Sequence, residues 1–306
     1  MNFRGDTMTM TLAEFFQHLT NGISLGSLYA LVAIGYTMVY GILRLINFAH
    51  GDIFMMATYF AFYGVATFTL PWYISFLLAI ILTGVLGFFL ESGAYRPLRD
   101  APKISVLISA IGASFLLENL AIVLFGGRPK AFPTPKIFND VITIKGVAIQ
   151  NLTFVIPVVT FIFLIGLVYL INHTKSGIAM RAVAKDYETA GIMGVNVNRT
   201  ISLTFAIGSM LAAVGGIMWG LKFPNILPLM GIMPGLKAFI AAVIGGIGNI
   251  KGAVLGGFLL GISEIMLVAF LPELTGYRDA FAFILLIVIL LVKPTGILGE
   301  KIAEKV

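Results

Sequence analysis

The segment "GISLGSLYALVAIGYTMVYGILRL" at residues 22–45 decides the fold class, because Arg44 is the only charged residue in it. A helix that crosses the hydrocarbon core of a bilayer needs about 20 apolar residues. Strands of a membrane barrel instead give short segments of alternating polarity. The apolar run here is long and continuous, so it predicts a membrane-spanning helix.

The composition of the whole chain extends this prediction to a polytopic protein. Hydrophobic residues make up 59% and charged residues 11% of the 306 residues, whereas soluble domains carry about 25% charge. Apolar runs predict spans near residues 22–45, 52–70, 73–92, 104–125, 152–171, 201–221, 237–250, 253–271 and 279–292. The run 237–250 is short and glycine-rich, so it either spans or re-enters the membrane. We therefore predict an all-α transmembrane bundle of eight or nine spans with glycine-interrupted helices.

Residues 1–20 are predicted to form a separate N-terminal interfacial segment. Thr11 and Glu14 have the S/T-x-x-E spacing of a capping box. Apolar residues then recur on one helical face as far as Leu19, which is typical of a helix lying on the bilayer surface. A frayed terminus is the alternative.

The positions of Lys and Arg predict the orientation of the chain. Basic residues cluster around Arg99 and in the loop 172–200, and such loops favour the cytoplasmic side. If 237–250 crosses, the N-terminus lies outside and the C-terminus lies in the cytoplasm. The loop 126–151 also carries basic residues but would face outward, so the charge bias is modest.

Several function classes lack the residues that they need. The chain has no cysteine and only three histidines, which lie far apart, so no metal site and no cofactor are predicted. The net charge of +6 comes from loops beside spans and does not indicate nucleic acid. No phosphate-binding loop, zinc-protease motif or nucleophile elbow occurs. An ion-coupled transporter or channel would need an organised set of ionisable residues, and the carboxyl groups here are scattered.

Two glycine pairs near the C-terminus predict close helix packing. Gly252 and Gly256 form one G-x-x-x-G motif, and Gly257 and Gly261 form another. Small residues let helix backbones approach each other within a bilayer. Packing within the chain is favoured over a subunit interface.

A polar stretch, "MRAVAKDYETAGIMGVNVNRT" from Met180 to Thr200, contrasts with its apolar surroundings. Its spacing predicts a pair of short amphipathic helices outside the hydrocarbon. Asp186 is placed to cap the second helix, and Gly194 fits the left-handed position that ends it. A solvated loop with no partner is the alternative.

Within this stretch, "ETAGIMG" (Glu188–Gly194) resembles the E-A-A-x-x-x-G signature of ABC-importer permeases. Thr189 replaces the first alanine, and Thr204 stands where the isoleucine of the signature's I-x-L-P end would be. Four further stretches are similar to permeases of branched-chain amino-acid ABC importers: Leu25–Asp52, Tyr95–Ser114, Lys237–Gly257 and Lys293–Gly299. The resemblance runs from about residue 25 to the C-terminal tail.

The resemblance implies that residues 21–306 form the permease transmembrane domain and that 172–200 is its cytoplasmic coupling loop. Ala182–Gly194 would form a short helix seated on an ATPase subunit, with Ala190 close to the partner. The residues expected to couple to the ATPase are Arg181, Ala182, Asp186, Glu188, Thr189, Ala190 and Gly194.

The same resemblance implies the partners and the location. Such importers pair two related permeases, here expected as a heterodimer, with two ABC ATPase subunits in the inner membrane of a bacterial or archaeal cell. An external binding protein delivers leucine, isoleucine or valine. The permease itself is not an enzyme. Amides or urea stay open as alternative substrates, and a secondary amino-acid transporter is the less favoured alternative.

Polar residues inside apolar runs are the candidates for the substrate pathway, because charges at mid-bilayer cost at least about 2.5–3.5 kcal/mol. The stretch "NFAHGD" is either a cytoplasmic turn or an unwound break within the membrane. "GGIGNIKG" interrupts the second half in a similar way, which hints at an internal repeat. The predicted pathway residues are Asn47, His50, Asp52, Asn249 and Glu264.

Overall fold

The computed structural model describes residues 11–144 and 147–299, and within them it is a helical bundle. The helices are α1 (Leu12–Leu43), α2 (His50–Ala66), α3 (Trp72–Leu90), α4 (Lys103–Phe125), α5 (Lys136–Asn139), α6 (Asn151–His173), α7 (Lys175–Lys185), α8 (Tyr187–Ile192), α9 (Val197–Lys222), α10 (Ile232–Gly245), α11 (Ile250–Phe270) and α12 (Arg278–Val292). A π-helical turn (Glu91–Tyr95) and a 3-10 turn (Arg96–Leu98) extend α3, and another 3-10 turn (Pro272–Tyr277) precedes α12. The short strands are β1 (Lys130–Ala131), β2 (Val141–Ile144), β3 (Val147–Gln150) and β4 (Asn225–Ile226).

Seven helical segments of this described part are long and apolar enough to cross a membrane. They are α1, α3 with its extension, α4, α6, α9, α11, and α12 with the turn before it. The predicted polytopic helix bundle is therefore confirmed. Helices α2 and α10 are shorter, with 17 and 14 residues, so the total number of crossings stays a prediction.

Helix α1 begins with the predicted capping box and forms the centre of the bundle. Thr11 Oγ1 accepts a hydrogen bond from the Glu14 N–H at 3.3 Å, and Glu14 Oε2 accepts one from the Thr11 N–H at 2.8 Å. The helix then runs without a break for 32 residues, roughly 48 Å. The expected boundary at residue 20 is thus not a break in the helix. The interfacial location stays a prediction, and residues 1–10 lie outside the described part.

The distribution of apolar side chains is that of a membrane protein. Helices α1 and α9 are buried over most of their length. The outer helices α3, α4, α6 and α12 instead carry exposed large apolar side chains, such as Val123 and Leu291, which are both 80% exposed. Apolar surface on this scale indicates contact with lipid or with other subunits.

The four C-terminal glycines pack against neighbouring helices of the same chain. A Cβ atom added at Gly261 would clash with the backbone nitrogen of Gly26, and one at Gly257 would clash with Ala30, one turn further along α1. Gly252 and Gly256 make equally close approaches to the backbone of α10. These glycines therefore bring α1, α10 and α11 together, as expected from packing within the chain.

Helix α2 begins inside the bundle, and the start of α10 packs against it. His50, the first residue of α2, places its Nε2 atom 3.2 Å from the carbonyl oxygen of Val32 in the middle of α1. The chain after Leu43 therefore turns back into the protein before α2 starts. The start of α10 packs against the same place, because a Cβ atom at Gly51 would lie 2.5 Å from the Gly231 carbonyl oxygen. Segment 237–250 is thus corrected to a helix that begins at Ile232 and ends at Gly245.

The connecting segments gather at two ends of the bundle. At one end, the turn after α3 meets the start of α9, where Arg99 Nη1 donates to Asn198 Oδ1 at 2.7 Å. We call this the α7–α8 end, because those helices immediately precede α9. At the other end, β2 pairs with β3, and β1 pairs with β4 through Lys130 and Ile226. We call this the hairpin end.

Candidate functional site

The polar stretch after α6 folds as a pair of short helices. Thr174 Oγ1 accepts a hydrogen bond from the Gly177 N–H at the start of α7. Asp186 has an extended backbone that separates α7 from α8, and its Oδ1 atom accepts from the Glu188 and Thr189 N–H groups at 3.1 Å each. The predicted helix pair with an Asp186 cap is confirmed. The expected single helix over 182–194 is wrong, because the helix is interrupted at Asp186.

Gly194 ends this corner in the predicted left-handed conformation. Its φ is +86°, and its N–H donates to the Gly191 carbonyl at 3.0 Å. The Val195 N–H donates to the Ala190 carbonyl, so the last turn of α8 is closed by backbone bonds. A side chain with a branched Cβ would be strained at this φ.

The two sides of α8 differ in exposure. Ala190 is only 5% exposed and packs on Val183 and other residues of the chain's own cluster. The expected contact of Ala190 with a partner is therefore corrected, since its small side chain lets α8 approach the bundle. On the other side, Tyr187, Ile192 and Met193 are 51%, 86% and 79% exposed.

We call the exposed group Tyr187, Glu188, Ile192 and Met193 the α8 face. It combines large apolar side chains with one carboxylate at the α7–α8 end of the bundle. Thr189 is exposed beside it, and Ala182 on α7 is half-buried. This mixture of apolar and charged groups is suited to a protein partner.

Arg181 attaches α7 to the end of α6. Its Nη1 atom donates to the Ile171 carbonyl at 2.6 Å and to Asn172 Oδ1 at 3.2 Å. The side chain is exposed, yet its bonds lie within the chain. Arg181 therefore holds the α7–α8 corner against the long helix α6.

A buried ion-pair cluster near this corner was not predicted from the sequence. Glu91 is fully buried, and its carboxylate lies 2.7 Å from Arg96 Nη2 and 2.7 Å from Arg99 Nη2. Ser202 Oγ on α9 donates to Glu91 Oε2 at 2.6 Å. The cluster ties the end of α3 to the start of α9. A lone acid at the end of an apolar run, followed by two arginines, is the signal that would have indicated it.

The residues of the "NFAHGD" stretch are buried rather than on an exposed turn. Asn47, His50 and Asp52 are at most 2% exposed. Tyr95 donates its hydroxyl to Asn47 Oδ1 at 2.8 Å, and the Tyr36 ring lies 4.4 Å from the His50 ring. The stretch is therefore a break inside the protein.

Of these three residues, Asp52 lines a cavity. The cavity measures about 270 Å³ and lies between α2, α4 and α10. Ser114 donates its hydroxyl to Asp52 Oδ2, and Glu118 lies on the same wall one helical turn away. Phe115, which is 59% exposed, also lines it. We call this the Asp52 cavity.

Asn249 has a local structural role, and its assignment to the pathway stays a prediction. Its Oδ1 atom accepts from the Gly252 N–H at 3.1 Å and so caps α11. Its Nδ2 atom donates to the Leu298 carbonyl at 2.9 Å. The residue lies at the α7–α8 end, apart from the Asp52 cavity.

Glu264 belongs to a third group of polar residues, at the hairpin end. Its Oε2 atom accepts from the Tyr29 hydroxyl at 2.9 Å, and its Oε1 atom lies 2.5 Å from Lys237 Nζ and 3.2 Å from Arg278 Nη2. Lys237 Nζ also lies 2.6 Å from Asp279 Oδ1. The five predicted pathway residues are therefore not brought together in one site.

These charged residues surround a pocket of about 340 Å³, which we call the hairpin-end pocket. Its other walls include Trp219, Phe223 and Met233. Lys237, Arg278 and Asp279 were not among the predicted site residues. A lysine inside an apolar run and an Arg-Asp pair at the start of one were the available signals.

Comparison with known proteins gives a consistent result. The family model described as "Branched-chain amino acid transport system / permease component" matches residues 18–290. The chain is 44% identical to the high-affinity branched-chain amino acid transport system permease protein BraD of Pseudomonas aeruginosa, covering 96% of this chain and 98% of that protein. It is 43% identical to the corresponding permease protein LivH of Escherichia coli, covering 98% of this chain and 100% of LivH. A probable LivH of Methanocaldococcus jannaschii is 27% identical over 92% of this chain and 91% of that protein.

Proposed function

Because this chain belongs to the family of permease components of branched-chain amino acid transport systems, we propose that it is a translocation subunit of an ATP-driven importer. In this assembly, a second related permease lies beside the chain, and two ABC ATPase subunits bind at the cytoplasmic side. An external binding protein delivers leucine, isoleucine or valine. The partner ATPases hydrolyse ATP, and the chain itself moves the substrate across a bacterial or archaeal cell membrane.

The α8 face is the observation that carries the proposal. It exposes Tyr187, Ile192 and Met193 at the end of the bundle where short loops gather. A group of large exposed apolar side chains outside the hydrocarbon is suited to a protein partner, which removes it from water. The ATPase subunit is that partner. Movement of the ATPase is transmitted to α6 through Arg181. It is transmitted to α3 through the Glu91 cluster, which connects α3 to the start of α9.

The α7–α8 end faces the cytoplasm and the hairpin end faces outward in this proposal. The basic turn around Arg99 and the loop containing Arg181 lie at the same end, in agreement with the charge rule. Helix α1 begins at the opposite end, so the N-terminus lies outside. With α2 and α10 each completing a crossing, the C-terminus lies in the cytoplasm.

Single-cysteine labelling tests this orientation, because the chain has no cysteine of its own. Lys185 and Glu273 are both exposed and lie at opposite ends of the bundle. A membrane-impermeant maleimide is expected to label Glu273→Cys in right-side-out vesicles and Lys185→Cys in inside-out vesicles. The reverse pattern would contradict the orientation.

The Asp52 cavity forms part of the pathway. Two helices begin beside it, so their N-terminal backbone N–H groups lie near the break. Its walls are otherwise mostly apolar, which suits an aliphatic side chain, and Asp52 offers a carboxylate to an ammonium group. Because exposed side chains such as Phe115 line it, the second permease completes the cavity on its open side.

Asp52→Asn is expected to lower leucine uptake at least about 10-fold, because a charge-assisted bond to the substrate ammonium is worth roughly 1.5–3 kcal/mol. The amide keeps the size of the side chain and can still accept from Ser114. Co-purification of the ATPase should be unchanged. Asp140→Asn is the matched control, since it makes the same change at an exposed carboxylate in the loop 126–151, away from the cavity. Normal leucine uptake by the Asp52→Asn variant would show that Asp52 is not part of the pathway.

The substrate assignment is tested by ATP hydrolysis of the purified importer in liposomes. Leucine, isoleucine and valine, each loaded on the binding protein, are expected to stimulate hydrolysis. Urea and acetamide are not. Stimulation by urea or acetamide alone would favour the alternative substrate class.

A further inference from the structure

We propose that the hairpin-end pocket binds the amino acid as a zwitterion when it enters from the outer side. The inference rests on the proposed function, because it assigns the first binding step of that transport to a site in this chain. The site is formed by Tyr29, Trp219, Lys237, Arg278 and Asp279 around the buried Glu264.

The position of the pocket suits a first binding step. Thr275 and Gly276, in the exposed 3-10 turn before α12, form its rim. The first turns of α10 separate it from the Asp52 cavity. Pro234 and Lys237 face the pocket, whereas Gly235 lines the Asp52 cavity. The pocket and the Asp52 cavity therefore share this short segment of α10 as a wall.

The charges of the pocket are balanced. Lys237 and Arg278 provide two positive charges, and Glu264 and Asp279 provide two negative charges. A zwitterion adds no net charge to this group. An amino acid with a charged side chain leaves one additional charge without a partner, and desolvating such a charge is costly. The pocket is thus suited to neutral amino acids.

Two of the charged side chains have capacity for a ligand. Asp279 is 51% exposed and its ion pair with Lys237 uses Oδ1, so its carboxylate can also accept from a substrate ammonium. The Arg278 side chain is 35% exposed and pairs with Glu264 through its Nη2 atom, so the rest of its planar fork of N–H groups can donate to a carboxylate. Glu264 is already bonded to Tyr29, Lys237 and Arg278, so it holds the cations in place.

An apolar wall faces these charges. The ring centroids of Trp219 and Phe223 lie 4.6 Å apart, and those of Tyr29 and Trp219 lie 6.3 Å apart. Leu25 and Met233 complete the wall. A pocket of about 340 Å³ with one apolar side and a few polar groups is of the size and type that binds small molecules. Its two halves match the charged backbone groups and the aliphatic side chain of one substrate.

Trp219 provides a direct readout, because the chain has two tryptophans and only Trp219 lines the pocket. Trp72→Phe leaves Trp219 as the only tryptophan of the full chain, which is placed in lipid nanodiscs. L-Leucine is expected to change its fluorescence saturably. Leucinamide lacks the carboxylate, and 4-methylpentanoate lacks the ammonium group. Each should need at least about 10-fold higher concentrations than leucine to produce half of the maximal fluorescence change. L-Lysine should be equally weak.

Two further variants in this background separate binding from folding. Asp279→Asn should weaken the binding of leucine about 10-fold or more and leave the binding of 4-methylpentanoate unchanged. Arg278→Gln should weaken the binding of leucine to a similar extent and leave the binding of leucinamide unchanged. Arg128→Gln, an exposed arginine in the loop 126–151, is the control and should bind leucine normally. A distorted pocket would weaken all ligands together, so a uniform loss in both variants would overturn the assignment.

The outcome is distinguishable from failure of the proposed function. If Trp219 does not respond to leucine while the complete importer accumulates leucine, the pocket is not the first binding site and the proposed function stands. If the complete importer accumulates no branched-chain amino acid, the proposed function fails, and the pocket assignment fails with it.

Discussion

Replacing Ile192 by aspartate is expected to abolish ATP-driven uptake while the membrane-spanning bundle stays folded. Ile192 is 86% exposed at the end of α8, so the substitution removes no contact from the core. In the importer that we propose, the same position would be buried against the ATPase. An unpaired carboxylate in an apolar interface costs several kcal/mol, which is enough to lose most of the complex.

The measurement is co-purification of the ATPase together with leucine uptake in proteoliposomes. Ile137→Asp is the matched control, because it replaces a 59% exposed isoleucine by aspartate at the hairpin end. The control should retain both ATPase binding and uptake. Normal ATPase binding by Ile192→Asp would show that the α8 face is solvent-exposed in the working importer, as in the alternative of a solvated loop.

Glu91→Gln is expected to have the largest effect on stability. The substitution removes the carboxylate that pairs with Arg96 and Arg99 and accepts from Ser202. Removing one partner of a buried ion pair typically costs about 3–5 kcal/mol. We expect the lower end of this range, because Arg96 and Arg99 are 35% and 18% exposed and keep access to water.

Thermal unfolding of the purified chain in detergent tests this prediction. Asp100→Asn is the matched control, since Asp100 is an exposed carboxylate a few residues further along the same turn. Its unfolding temperature should match that of the unmodified chain. If Glu91→Gln unfolds at the same temperature as the control, the cluster does not hold α3 to α9.

Local signals in the sequence predicted the parts of the fold that depend on neighbouring residues. The capping box at Thr11 and the Asp186 cap each involve groups within three positions of each other, so both could be predicted from the spacing of the residues. The left-handed conformation of Gly194 and the long apolar spans could be predicted for the same reason. The start of α10 was missed because Pro234 resembles a loop residue, although proline is tolerated in the first turn of a helix.

Contacts between distant segments could not be predicted in this way. Ser202 bonds Glu91 across 111 positions, and Tyr29 bonds Glu264 across 235. Which polar residues meet depends on how the helices pack, which no local pattern encodes. Ala190 shows the same limit, because its small side chain predicted close packing but not the side on which the packing occurs. Asn249 was assigned to the pathway because it interrupts an apolar run, but an asparagine before a helix is also a common cap.

The most direct test is accumulation of leucine in proteoliposomes that contain this chain, its partner permease and the ATPase subunits, with binding protein on the outer side and ATP inside. We predict accumulation that requires both ATP and the binding protein, and that is lost in Ile192→Asp but kept in Ile137→Asp. Accumulation without ATP, or equal accumulation by the two variants, would contradict the account of this chain as an ATP-coupled permease that engages its ATPase through the α8 face.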